Sequence, residues 1–126
     1  MSKDLTIESV RLALGMQQLR AEMAAQNIAS ANMPGARAMR LDFGASQALL
    51  TQAAGQGADL GPSLGQALAD AAYAVPHAAI PDHEGASIQL DEQVADAASA
   101  NLGYQALSEA LSRRFGLMRL AIAGKN

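Results

Sequence analysis

Four side chains able to ligate a metal or carry a proton fall within eight residues of one another: His77, Asp82, His83 and Glu84. Sites of that kind need ligands held to narrow tolerances by a packed scaffold. This stretch is instead bounded by Pro76 and Pro81, residues that remove backbone donors and force extended or turn geometry. It reads as a solvated loop, and no metal or other cofactor is expected there. The chain has no cysteine, which excludes disulfides, thiolate metal sites and Cys nucleophiles. No glycine-rich phosphate loop, nucleophile motif or buried carboxylate pair is present. The expectation is a protein without catalytic residues. Its alternative from another class is a small metal-dependent enzyme built on His77 and His83, which would purify with stoichiometric metal.

Bulk properties place the chain among proteins with little core of their own. It has 126 residues, half of them apolar, but only two Tyr, two Phe and no Trp. Large side chains supply most of the burial that drives folding, so an alanine-rich chain of this length leaves apolar surface for other chains. Net charge is −3. Residues 1–43 carry five basic and four acidic groups, residues 44–85 no basic and four acidic, and residues 86–126 four of each. With no basic block, nucleic acid and anionic membrane are not expected partners, and nothing in the pattern suggests a small-molecule substrate. The N-terminus lacks the apolar core of a secretory signal, and no run of 18 apolar residues occurs. The chain is expected to be cytosolic or exported without a cleaved signal peptide.

Residues Leu5 to Ala31 have helical period, with Asp4 or Thr6 as cap. Leu5, Leu12 and Leu19 recur every seven residues, and Met16 and Met23 fall between them, a coiled-coil-like seam. Ile7, Val10 and Leu14 widen the apolar arc, enough to meet more than one neighbour. The helix must end before Pro34, and Met33-Pro34-Gly35-Ala36 fits a type II turn with Gly35 at positive φ. Asn27 and Asn32, set among small residues, can bond the fraying helix end or a neighbouring chain.

After the turn, Met39, Leu41 and Phe43 alternate with Arg40 and Asp42, which predicts a short extended segment. Residues 37–90 then form a variable middle, partly disordered, rich in Ala, Gly and Gln, with short helices over Gln47–Ala54 and Ser63–Ala72. Val75-Pro76 and Ile80-Pro81 predict extended backbone, Asp82–Gly85 a turn and Ser87–Leu90 a brief strand. The last element, residues 91–126, is a helix capped by Asp91 and ending near Ala123, with Gly124 just beyond. Ala97, Tyr104, Leu111 and Met118 repeat at seven, with Val94, Asn101, Phe115 and Ile122 three or four away. This second seam predicts pairing with the first helix. Leu102, Leu107, Leu117 and Leu120 lie off it and exceed what one partner helix would bury. The expected fold is mostly α: long N- and C-terminal helices packed as an antiparallel coiled-coil-like hairpin, with a short extended segment and a flexible middle.

The turn and its flanks resemble the shared N-terminal signature of the axial proteins of the bacterial flagellum. Asn27, Ile28, Ala29, Asn32, Pro34 and Gly35 match it, while Met33 stands where the family has Thr and Ala36 where it has an aromatic. Arg40-Leu41-Asp42-Phe43, Tyr73-Ala74-Val75-Pro76, Ser87–Glu92 and the helix from Asn101 to Ile122 follow in the order found in the short proximal members of the basal-body rod family. The resemblance covers both ends of the chain and less of its middle. It implies a structural subunit of the periplasmic rod, exported by the flagellar type III apparatus. Its implied partners are copies of itself, other rod proteins, the membrane-ring/rod adapter and the export gate. Leu12, Met16, Leu19, Met23, Asn27, Asn32, Pro34, Gly35, Phe43, Tyr104, Leu111, Phe115, Met118 and Ile122 are the expected assembly residues. Another type III-exported helical protein, an effector or needle-type subunit, is the alternative within the same class.

Overall fold

The computed structural model describes residues 5–56, 62–81 and 88–124. Its first element, α1, spans Leu5–Ser30, as the periodicity requires, and is about 39 Å long at 1.5 Å per residue. Ser30 Oγ donates to the Gln26 carbonyl at 2.9 Å, and the Met33 N–H donates to the Ser30 carbonyl at 3.0 Å, which ends the helix. The Ala36 N–H then closes onto the Met33 carbonyl at 3.1 Å with Gly35 at φ 76°, the predicted type II turn.

Two three-residue strands follow from opposite sides of the middle segment. β1 is Met39–Leu41 and β2 is Ala79–Pro81, antiparallel, with Met39 opposite Pro81, Arg40 opposite Ile80 and Leu41 opposite Ala79. The Asp42 N–H donates to the Ala78 carbonyl at 3.0 Å, so by antiparallel alternation Arg40 and Ile80 share the next bonded pair. Met39 and Pro81 therefore fall in a non-bonded pair, where the missing N–H of Pro81 costs no ladder bond.

Between the strands lie α2 (Gly44–Gln56) and α3 (Pro62–Ala74), each longer than its predicted counterpart. The middle segment also does more than expected. Leu64 and Leu68 from α3, Val75 and Phe43 bury against Leu12, Met16 and Leu19 of α1 to form the hydrophobic core. Those α1 residues were assigned to a seam with the last helix; the core they join is instead made with the middle of the chain. Val75–His77 form a 3₁₀ turn rather than the extended backbone predicted before Pro76. Burial of Val75, whose Cγ1 lies 3.7 Å from where a Cβ on Gly15 would stand, offsets the usual preference. The turn predicted at Asp82–Gly85 and most of the strand predicted at Ser87–Leu90 lie outside the described residues. Ile88 and Gln89 are not in a strand, and Leu90 already opens the last helix.

That helix, α4, spans Leu90–Ala123, about 51 Å by the same rise. Its N-cap is Gln89, without a side-chain capping bond, and the predicted cap Asp91 lies in the first turn beside Glu92. Gly124 ends it in right-handed geometry, φ −73°, so the glycine is not used for a left-handed cap. As predicted, α1 and α4 pack against each other and the fold is mostly helical. Asn27 touches Gln93, and Gly103 stands against Gln17. Ten residues back along α1 thus answer to ten forward along α4, an antiparallel register.

Candidate functional site

Asn27 is the polar centre of the fold, 2% exposed on the last turns of α1. Its Oδ1 accepts from the Met39 N–H at 2.8 Å, and its Nδ2 donates to the Met39 carbonyl at 3.1 Å and to Gln93 Oε1 at 3.0 Å. These are the Met39 groups that point away from β2, so the amide stands in for a third strand. One side chain thereby ties α1, β1 and α4 together, with every strong donor and acceptor position used. The sequence singled out this residue, but placed its bonds at the helix end or on another chain. Ser30 serves the helix end, and Asn27 bonds within its own subunit. Asn32, Pro34 and Gly35 are exposed on the turn.

The assembly residues assigned to α1 divide from those assigned to α4. Leu12, Met16, Leu19 and Phe43 are buried in the subunit core, and Met23 packs against it half-exposed. Leu111 is half-buried, while Tyr104, Phe115, Met118 and Ile122 are exposed. The α4 face turned to α1 is rotated from the predicted seam. Ala100 is fully buried, with Gln93, Ala97, Gly103, Leu107 and Leu111 half-buried along the same side, while Val94 and Asn101 are exposed. Small residues decide this. A Cβ on Gly103 would stand 3.0 Å from the Gln17 Cδ, so the helices approach at Gly103 and Ala100 more closely than large seam residues would allow. Heptad reading, which weights large apolar residues, passes over both.

What remains on α4 is apolar and uncovered. Of eleven exposed large apolar side chains, nine belong to it: Leu90, Val94, Leu102, Tyr104, Phe115, Leu117, Met118, Leu120 and Ile122. The antiparallel register sets Leu5 beside Phe115, so Gly116–Ala123 continue beyond the last described turn of α1. Leu117, Leu120 and Ile122 there are 67%, 69% and 71% exposed. Basic residues mark the same end: Arg113, paired to Glu109 at 2.6 Å, then Arg114 and Arg119.

The residues considered for metal chemistry do not form a site among those described. His77 is exposed in the 3₁₀ turn, and Asp82, His83 and Glu84 lie outside the described residues. No group of three or more His, Asp or Glu able to hold a metal occurs among the described residues, and no described helix is long and apolar enough to cross a membrane. One carboxylate went unnoticed in the sequence. Glu8 is buried, its Oε1 3.8 Å from Arg11 Nη1 and its Oε2 without a hydrogen-bond partner. Compared with protein-family models, with curated proteins and with solved structures, the chain finds no match.

Proposed function

We propose that the chain is a structural subunit of the bacterial flagellar basal-body rod, most similar to its short proximal members, and that it polymerises through its terminal helices. The observation that carries this reading is the uncovered α4: nine exposed large apolar side chains on one helix, far more than scattered surface residues require. A helix covered on one side by α1 and bare elsewhere is built for contact with other chains. Contacts between unlike faces, repeated without closure, generate a helical tube of the kind a drive shaft needs. The signature around Asn27, Pro34 and Gly35 adds the family. Its Asn27 has a demanding role in the fold, joining α1 to the strand and to α4.

On this reading the protein is not an enzyme and uses no cofactor. It leaves the cytoplasm through the flagellar type III apparatus without a cleaved signal and assembles in the periplasm between the membrane-ring adapter and the more distal rod proteins. The test is genetic and biochemical together. Removal of the chain from its bacterium should abolish swimming, with restoration by the intact chain, and the protein should co-purify with hook–basal-body complexes. Normal swimming after removal would refute the reading.

A further inference from the structure

Beside the core, a groove of about 840 Å³ runs along the exposed side of α1. Ile7, Leu14 and Gly15 of α1 line it, with Tyr73 and Val75 from α3 and the 3₁₀ turn and Tyr104 and Phe115 from α4. Its α1 residues extend from Ile7 to Met23, a length of about 24 Å, or more than four helical turns. Tyr73 is 86% exposed in it. A trough between elements, mostly apolar and flanked by aromatic side chains, has the form that receives an amphipathic helix.

We infer that the occupant is the C-terminal end of α4, Gly116–Ala123, from a second copy of this chain. Three observations select it. This segment continues beyond the described part of α1, and its Leu117, Leu120 and Ile122 are bare. It is eight residues, about 12 Å, and fits within the length of the groove. Its charge is also complementary: after Glu109 the described part of α4 carries Arg113, Arg114 and Arg119 and no acid, while the groove carries Glu22, exposed, opposite that basic end. Arg11 of the groove is already turned to Glu8, which leaves Glu22 to attract the incoming arginine.

Because the donor segment and the groove are different surfaces, each copy can give one and receive one. The contact is heterologous and propagates. The inference rests on the polymerisation reading above and adds which surfaces meet.

The absence of native cysteine makes the test clean. Two full-length variants, Tyr73→Cys in the groove and Leu120→Cys on the α4 end, are mixed at concentrations where the chain sediments as a polymer, and then oxidised. The expected product is a disulfide between the two variants, with little of either self-linked species. Leu120→Asp should move sedimentation towards monomer at least tenfold in concentration, while Tyr73→Ser leaves the monomer folded by circular dichroism. A polymer that gives only the Leu120-to-Leu120 linkage would mean symmetric pairing of α4 ends and would overturn the groove while leaving polymerisation intact. A polymer with no linkage would overturn it likewise. A chain that stays monomeric at all concentrations overturns both.

Discussion

At Gly35 and Asn27 the physical demands on single residues can be separated cleanly. Gly35 sits at φ 76° with nothing within 4 Å of a built Cβ, so a substitution there meets backbone strain and no clash. Gly35→Val should therefore destabilise the subunit by about 1–3 kcal/mol, and Gly35→Asn by clearly less, because Asn tolerates the left-handed region. Urea unfolding of the two variants measures the difference; equal losses would mean that contact, not φ, sets the requirement. Asn27 is the opposite case, defined by partners. Asn27→Ala strands the Met39 N–H and carbonyl, at a cost of about 1–3 kcal/mol. Asn27→Asp can still accept from the Met39 N–H but cannot donate to the Met39 carbonyl or to Gln93, so it should rescue little. A fully stable Asn27→Asp protein would show that the donor bonds carry nothing.

Among the elements, α3 and α4 exchange the roles that their sequences suggest. The segment that becomes α3 reads as alanine-rich filler, yet Leu68 on it is fully buried. α4 reads as half of the core, yet its one fully buried residue is Ala100. Leu68→Ala should accordingly cost the isolated subunit about 2–5 kcal/mol, the range for removing a buried leucine. Leu117→Ala, on the bare end of α4, should fall within about 0.5 kcal/mol of the parent. Thermal melts of the monomer give both values. If Leu117→Ala proves the more damaging change, α4 is covered within its own chain and the case for an assembly surface fails. Gly103 belongs to the same comparison. Its added Cβ would press on the movable end of Gln17, so Gly103→Ala asks only for a side-chain shift, whereas a leucine there would drive the helices apart.

For the molecule as a whole, α1 is the spine. The core covers one side of it and α4 another, so its amides from Leu12 to Asn27 should exchange slowly in the free subunit, opening only with the whole fold. Amides of Gly116–Ala123 should exchange rapidly in the monomer and become protected in the polymer. Hydrogen exchange on both forms tests this, and equal protection of the two segments in the monomer would contradict it.

Much of this architecture is legible in the residue order because it depends on local physics. Pro34 and Gly35 end α1 and set the turn through their own φ preferences. The heptad leucines predict two long helices, and the shortage of aromatic residues points to a thin core with apolar surface left over. What the order of residues could not decide is which faces meet. Leu12, Met16 and Leu19 are equally suited to pack on a terminal helix or on α3, since burial rewards apolar area without regard to its source. The choice falls to small residues at contact points, Ala24, Ala100 and Gly103, whose value is the close approach they allow and which carry no signal of their own. The bonds of Asn27 were hidden for a related reason: an amide twelve residues from its strand partner and sixty-six from Gln93 finds them only once tertiary packing has brought three elements to one place.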